Sequence, residues 1–296
     1  MTKHKPTHLE SAEQAPTTEA PNDWRASAQR IEALRASLPK SEPEPEQATL
    51  PGVTVPRTPG DTAPMNNDLA RTPLFAPIKR GRRKMLDKAP LPGPAGNRAA
   101  CVSGKQLDMA DQDVFLCGLK QAAEVGPDQP VTVLLGEFLT SLGWNSRSDA
   151  AYRWLKGSFE RLATCRLFFE TEERMLSLPL LGPLEFDKRE KTWTFTIPEK
   201  TMALFLGQSY GFVDLAKRRA LGKRVDLAKW VQSYAASHAP GQHSVSLENL
   251  HKWSGYEGRM RDFRTSLAEA LDELRRVGVL TSWEFAERKK IVCWYR

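Results

Sequence analysis

Cysteine is scarce in this sequence, and histidine lacks any metal-binding spacing. The four cysteines among the 296 residues stand alone, at Cys101, Cys117, Cys165 and Cys293. Isolated cysteines predict neither a disulfide framework nor a CxxC metal site. The five histidines form no HExxH or zinc-finger pattern, so we expect no metal and no cofactor.

Long apolar runs are also missing. No segment approaches the roughly 18 apolar residues that a membrane-spanning helix needs, and residues 1–10 lack the apolar centre of a signal peptide. We therefore expect a cytoplasmic protein with no membrane partner.

The common catalytic motifs are absent as well. The sequence contains no GxxxxGK[ST] phosphate-binding loop and no GxSxG nucleophile motif. Ser237 and His238 are a nucleophile and a base in adjacent positions, but neighbours on a helix point apart and no orienting acid is identifiable. These absences predict a protein that is not an enzyme.

Proline is concentrated near the start of the chain, where 15 of the 21 prolines precede residue 99. Proline lacks an amide donor and fixes its own backbone, so this density opposes both helix and sheet. Residues 1–64 are therefore predicted to be a disordered, acidic tail. The exception is Asn22–Leu38, whose apolar spacing predicts a short helix that either binds a partner or forms transiently without one.

Positive charge is concentrated just after this tail. The chain has 43 basic and 36 acidic side chains, a net charge of +7 at pH 7. Residues 65–104 alone contain eight basic and two acidic side chains. We interpret 65–104 as a basic linker arm that contacts DNA phosphates, or alternatively as a solvated linker. Its cationic cluster is Lys79, Arg80, Arg82, Arg83 and Lys84.

From Leu107 onward, hydrophobic periodicity predicts a folded region in which one order of elements occurs twice. Helices are predicted over Asp108–Val125, Glu137–Leu142, Arg147–Thr164, Gly222–His238, Glu248–Ser254 and Arg259–Val277. Strands are predicted over Val131–Val133, Cys165–Glu170, Leu176–Phe186, Lys191–Ile197, His243–Leu247, Val279–Phe285 and Ile291–Tyr295.

The two copies share a register. Five pairs of apolar residues each lie 112 positions apart: Val133 and Val245, Leu155 and Leu267, Phe159 and Leu271, Leu162 and Leu274, Leu167 and Val279. This regularity favours a duplication of a helix-turn-helix unit followed by a two-stranded wing. The predicted fold is α+β, mostly helical, with two tandem winged-helix domains at 105–208 and 209–296 after the disordered tail.

Each long helix has an apolar stripe and an opposite polar face suited to a DNA major groove. Arg153 and Asn145 are the predicted base readers, because arginine bonds guanine bidentately and asparagine bonds adenine, while Lys156 is predicted to contact phosphate. The alternative for each residue is an ordinary solvated face. The full predicted DNA-binding set adds Ser146, Arg147, Lys188, Arg189, Arg259, Arg261, Arg264, Thr265, Arg288, Lys289 and Lys290 to these residues and to the cationic cluster of the arm.

Five stretches of residues 66–296 resemble the TrfA family of broad-host-range plasmid replication initiators, in the same order and with similar spacing. They are Asn67–Phe75, Leu142–Trp144, Trp193–Ile197, Ser237–His238 and Phe263–Leu274. The resemblance implies two winged-helix domains that bind repeated origin sequences (iterons) in double-stranded DNA and open an adjacent AT-rich region.

The resemblance also implies a bacterial protein associated with a plasmid or the nucleoid, and it implies partners and regulation. Such initiators work with the host initiator protein, recruit the replicative helicase, and dimerise through the first winged domain, which limits plasmid copy number. The family can also have a sliding-clamp-docking peptide of the Gln-Leu-Ser-Leu-Phe type. Here the counterpart Arg35–Pro39 has proline where phenylalanine would stand, which argues against clamp binding there, and Leu74-Phe75 is a weak substitute.

The predicted function is therefore a non-enzymatic plasmid replication initiator. Because a fold does not fix a task, two alternatives stay open. One is a winged-helix transcriptional regulator, and the other is an adaptor that uses the same domains for protein contacts.

Overall fold

The computed structural model describes residues 58–78, 83–97, 99–170, 174–205, 209–222, 224–286 and 290–296. These residues belong to one compact unit. Most of the predicted tail, including the candidate helix Asn22–Leu38 and the Arg35–Pro39 peptide, lies outside the described residues.

The described chain is a mixture of helices and short strands. In chain order, helices α1 to α9 are Asn67–Ala70, Met109–Val125, Leu135–Ser141, Asp149–Thr164, Glu199–Met202, Leu215–Arg219, Val225–Ala236, Leu247–Ser254 and Met260–Arg276. Strands β1 to β14 are Thr62–Asn66, Phe75–Ala76, Met85–Pro90, Ala99–Lys105, Leu107–Asp108, Val131–Leu134, Arg166–Glu170, Met175–Pro179, Leu184–Asp187, Thr192–Phe195, Tyr210–Asp214, Gln242–Ser246, Ser282–Ala286 and Ile291–Tyr295.

Two groups of these elements have the same order and strand pairing. The first assembly consists of α2, β6, α3, α4, β9 and β10, with antiparallel sheet order β6-β10-β9. The second assembly consists of α7, β12, α8, α9, β13 and β14, with antiparallel sheet order β12-β14-β13. The predicted helices and most predicted strands are thereby confirmed, with shifts of a few residues at their ends.

Local side-chain chemistry explains where the main helices begin. Asp108 starts α2 with a capping box, in which its carboxylate accepts from the amides of Ala110 and Asp111 while the Asp111 carboxylate accepts from the Asp108 amide. Ser148 and Ser246 start α4 and α8 as N-caps. Such caps satisfy amides that have no partner within the helix.

The apolar stripes of the long helices form the core. Leu155, Phe159 and Leu162 of α4 are at most 1% exposed, as are Leu267 and Leu271 of α9. Met260, the first residue of α9, is an exception, because it is 40% exposed. The first turn of α9 projects beyond the core, so only the stripe from Phe263 onward is covered.

The prediction that residues 65–104 are a linker arm is wrong for the described part of this range, which contains a helix and four strands or parts of strands. Strands β3 and β4 form a four-stranded antiparallel sheet with β7 and β8, in the order β3-β4-β7-β8. Strand β1 pairs with β11, so the last residues of the predicted disordered tail are also folded. The pairings of β4 with β7 and of β1 with β11 join segments that are far apart in the chain. Proline density and charge do not indicate which distant strand a segment pairs with. Pro64 is tolerated because β1 has a single neighbour.

The four-stranded sheet also interrupts the predicted repeat. Leu176–Phe186 was expected to be one strand, but it divides into β8 and β9, which belong to different sheets. Leu167 lies in the four-stranded sheet, whereas Val279 lies in the connection between α9 and the wing strand β13, three residues before that strand begins. The equivalence of Leu167 with Val279 is therefore wrong, although Val133 and Val245 occupy corresponding places at the edge of their sheets.

A buried polar network joins the two assemblies. Arg218 of α6 is 2% exposed, and its Nε donates to Asp113 of α2 at 2.5 Å. Its other nitrogens donate to Gln112 of α2 and to the carbonyl of Lys229 in α7, at 2.6 and 2.9 Å. The Lys229 ammonium also pairs with Asp113. Because these groups come from both assemblies, the network fixes how α2 lies against α7.

A second buried carboxylate stabilises the first assembly. Asp111 has a fully buried side chain that accepts from Ser158 and Arg161 of α4, each at 2.6 Å. Arg83 pairs with Asp111 at 2.6 Å and with Asp108 at 2.5 Å. Burial raises the pKa of Asp108, and the neighbouring Asp111 charge adds to this shift.

We predict that Asp111→Asn lowers the free energy of unfolding by about 3 kcal/mol, because two buried arginines then lose their shared carboxylate. Urea unfolding followed by circular dichroism measures the change. Glu190→Gln makes the same carboxylate-to-amide change on the exposed turn between β9 and β10, and should alter stability by less than about 0.5 kcal/mol. Equal effects of the two substitutions would contradict the role assigned to Asp111.

The histidine pair of the second assembly predicts sensitivity to acid. The rings of His238 and His243 lie 4.1 Å apart, and Arg71 donates to the adjacent Ser237 hydroxyl at 2.9 Å. Burial lowers the pKa of His238 to about 4, and burial followed by the Arg71 charge lowers that of His243. A histidine whose pKa is depressed by folding adds stability at neutral pH that is lost as pH falls from about 6.5 to about 4.

We therefore expect the midpoint temperature of thermal unfolding to be lower at pH 5 than at pH 7. His238→Gln should reduce the size of this fall, because the variant has one fewer group that must stay neutral in the folded state. Thermal melts at the two pH values give the comparison. If the wild type and the variant lose the same amount, His238 is not the source.

Candidate DNA interface

The turn before α4 and the outer face of that helix contain the predicted contacts of the first assembly. Asn145, Ser146 and Arg147 are all exposed in the turn that joins α3 to α4. Arg153 and Lys156 are exposed on α4, three residues apart and opposite the buried stripe. Asn145, Ser146 and Arg147 therefore lie at the N-terminal end of α4, the end that enters a groove in helix-turn-helix proteins, and Arg153 and Lys156 lie further along the exposed side of the helix.

The corresponding end of the second assembly is more basic. Arg259, Arg261, Arg264 and Thr265 are all exposed at the start of α9. The Arg261 side chain is 89% exposed, with a single carboxylate neighbour, Asp262, at 3.8 Å. Within the described part of the chain, Arg259 and Arg264 form no ion pair.

The start of α9 lacks a side-chain cap, as do the starts of α3, α5 and α7, and it differs in this from the starts of α4 and α8. Ser148 and Ser246 cap α4 and α8 through side-chain oxygens, whereas Arg259 occupies the N-cap of α9 without a side-chain hydrogen bond. The first amides of α9 therefore lack an acceptor from the cap, and the nearby arginines add positive charge to the positive end of the helix dipole. This arrangement is unfavourable for the isolated helix and favourable for binding an anion.

The wing of each assembly ends close to its long helix. Lys188 and Arg189 are exposed in the turn between β9 and β10, which Asp187 stabilises by accepting from the amides of Arg189 and Glu190 at 2.7 and 3.0 Å. In the second wing, Lys290 is exposed and Arg288 and Lys289 lie outside the described residues. The basic tips are accessible wherever the structure describes them.

The cationic cluster of the predicted arm is divided by the structure. Lys79, Arg80 and Arg82 lie outside the described residues. The Arg83 side chain is 15% exposed and pairs with Asp108 and Asp111, so its donors are engaged within the fold and this geometry does not favour its predicted contact with DNA. Lys84 is accessible but pairs with Glu257 at 2.6 Å. A cluster of basic residues in the sequence does not indicate that one of them, Arg83, pairs with a buried carboxylate later in the chain.

The basic residues between the assemblies are structural for the same reason. Arg218 is buried in the inter-assembly network, and Arg219 pairs with Asp61. Arg224 pairs with Glu269 at 2.5 Å. The acidic partners of these three arginines therefore already engage their donors within the fold. By contrast, Arg153, Arg259 and Arg264 are exposed and form no ion pair among the described residues.

Other chemistry receives little support in the described residues. No group of three or more His, Cys, Asp or Glu side chains there is arranged to hold a metal ion. Burial raises the pKa of Cys117 to about 11 and that of Cys165 to about 12, so both are protonated thiols at pH 7. None of the described helices combines the length and apolar character needed to cross a bilayer.

Comparison with known proteins gives a likeness of fold. No protein-family model and no curated protein sequence matches the chain. The structure superposes on domains 2 and 3 of RctB with a TM-score of 0.55 and 14% identity, covering 77% of this chain and 97% of that one. A second structure of RctB domains 2-3 gives a TM-score of 0.48 at 14% identity, over 75% of this chain and 95% of that one.

A third similar structure is the WH1 domain of MSBI1.176, a replication protein isolated from a multiple sclerosis patient. It has 12% identity and a TM-score of 0.25, over 33% of this chain and 85% of that one. At these identities, the likeness to RctB establishes that this chain shares the fold of its domains 2 and 3.

We predict that Arg261→Ala weakens binding to a preferred DNA duplex by about 1–3 kcal/mol and relaxes the preference at one base pair, because the side chain is exposed at the start of α9. Arg153→Ala should do the same through α4. Arg275→Ala, at the opposite end of α9, is the matched control and should leave binding unchanged. Fluorescence anisotropy titrations measure the affinities, and a uniform loss on every sequence would instead identify a phosphate contact.

Proposed function

We propose that this chain is a DNA-binding initiator of replication whose two assemblies are tandem winged-helix domains. The observation that carries the proposal is the set of exposed arginines at the uncapped start of α9, because their placement opposes helix stability and favours a polyanion. The exposed polar residues at the start of α4 support a second reading site. The chain acts without catalysis of its own.

In this proposal α4 and α9 each enter a major groove of one duplex. Arg153, Asn145 and Arg261 read base edges, while Lys156 and the wing tips contact phosphates. The Arg218 network supports the simultaneous use of both helices, since it holds the two assemblies in one relation. Lys79, Arg80 and Arg82 add sequence-independent affinity through counterion release.

The finer assignment follows the resemblance to the TrfA family. The DNA is a plasmid origin with repeated iterons, and binding promotes opening of an adjacent AT-rich region, where deformation requires the least energy. The chain then recruits the host initiator protein and the replicative helicase, and an equilibrium between monomer and dimer limits plasmid copy number. The shared fold with RctB domains 2 and 3 supports the two-domain arrangement.

Selection of binding sites from random duplexes tests the proposal with the full-length chain. We expect an enriched sequence with two blocks about 10 base pairs apart, matching two helices in successive major grooves. Inserting five base pairs between the blocks should weaken binding strongly, whereas inserting ten should restore part of it. Affinity should fall steeply with salt concentration.

A plasmid whose only origin carries the selected repeats then separates the rival functions. Replication that depends on this protein supplied in trans supports the initiator. Sequence-specific binding without replication favours a transcriptional regulator. Equal, salt-insensitive binding to all duplexes overturns DNA reading and favours a protein adaptor.

A further inference from the structure

One arginine of α9 is held by its own wing. The Arg264 guanidinium lies over the ring of Phe285 on strand β13, 4.8 Å from the ring centroid. Trp283 contacts the same ring edge-on at 5.2 Å, and Phe285 is half-buried against the core. The ring is therefore a fixed support for a side chain that is otherwise exposed.

The first assembly repeats this contact with a different cation. The Lys156 ammonium of α4 lies 5.6 Å from the ring centroid of Phe186 on strand β9, and it also forms an exposed ion pair with Glu160, 3.9 Å away on the same helix. Phe186 in turn packs on Trp193, with ring centroids 5.0 Å apart. The two contacts therefore have the same construction, a cation of the long helix over an aromatic ring of the wing.

The two phenylalanines occupy corresponding places in their sheets. Phe186 pairs with Trp193, whose other neighbour is Val133. Phe285 pairs with Val292, whose other neighbour is Val245. The valines are one of the pairs separated by 112 residues, so the aromatic position is shared by topology even though the cations stand at different turns of α4 and α9.

A cation over a ring differs from a cation in an ion pair. The guanidinium groups of Arg83 and Arg218 donate hydrogen bonds to carboxylates. A guanidinium stacked on a ring keeps its N–H groups, which lie in the plane of the guanidinium, available to another acceptor. The ring also restricts the side-chain rotamers before binding, which lowers the entropy lost when a contact forms.

We propose that Phe285 and Phe186 are positioning residues that hold Arg264 and Lys156 toward DNA between the long helix and the wing of each assembly. The proposal rests on the proposed DNA-binding function. The two cations differ in the DNA group that they can contact. Arg264 has the planar donors for bidentate recognition of guanine, whereas Lys156 is a point charge suited to phosphate. Phe285 therefore affects sequence preference, and Phe186 affects affinity on all sequences.

A double-mutant cycle on duplexes selected by the wild-type chain tests this inference. Phe285→Leu should weaken binding about two- to tenfold and relax the preference at one base pair, while Phe285→Tyr should keep both properties. The decisive variant combines Phe285→Leu with Arg264→Ala, which should bind like Arg264→Ala alone because the ring acts through the arginine. Fully additive losses would overturn the proposal.

The first assembly gives an independent arm of the test. Phe186→Leu should weaken binding to all duplexes by a similar factor, and its effect should vanish in a Lys156→Ala background. Phe168→Leu is the matched control, since Lys88 lies 5.8 Å from that ring in the four-stranded sheet, and it should leave DNA binding unchanged. Thermal melts establish that each variant is folded.

The outcomes separate this inference from the function on which it rests. If the wild-type chain selects no sequence, the proposed function fails. If it selects a sequence but Phe285→Leu leaves the base preference unchanged, or if Phe168→Leu weakens binding as much as Phe186→Leu, the positioning role fails while DNA reading stands.

Discussion

The buried guanidinium of Arg218 is the constraint on which the arrangement of this protein depends. A charge that is 2% exposed must have its donors satisfied, and its acceptors come from α2 in the first assembly and α7 in the second. Sliding one helix past the other would leave a desolvated charge without its carboxylate. The network thus favours one relation between the assemblies, in a way that apolar contacts alone specify less sharply.

This network also clarifies what the net charge of +7 represents. Some cations serve the interior or the joints of the fold, among them Arg83, Arg161 and Arg218, each of which pairs with a buried or partly buried aspartate. The cations at the starts of α4 and α9 and at the wing tips have few acidic neighbours. A polyanion would therefore contact only part of the positive charge, because Arg83, Arg161 and Arg218 are already paired with aspartates within the fold.

The sequence predicted those parts of the fold that local patterns determine. The stripe Leu155, Phe159 and Leu162 places α4 correctly, and Val133 with Val245 relates the two sheets. The same reasoning missed β3 and β4, because a strand beside prolines and basic residues is specified by its distant partner β7. It also predicted β8 and β9 as one strand, because apolar residues continue where the chain leaves one sheet and enters the next.

The candidate interface was predictable to a similar extent. Exposure of Arg153, Arg259, Arg261 and Arg264 follows from the position of each relative to a buried stripe, and periodicity reports that position. The neutralisation of Arg83 by Asp111 depends on a tertiary contact between the start of α2 and the preceding segment, which no spacing rule contains. The contacts of Arg264 with Phe285 and of Lys156 with Phe186 were missed, although a basic residue on each long helix and an aromatic residue on each wing were visible signals.

The pairing of β1 with β11 has a consequence for how the chain matures. Thr62 pairs with Asp214, so this early strand stays unpaired until the ribosome has synthesised the whole first assembly and the connection beyond it. Contacts of such large sequence separation form slowly, and an unmatched strand can pair with a neighbouring molecule in the meantime. Translation speed across that interval, rather than the stability of the finished protein, would then govern how much of the chain reaches its native state.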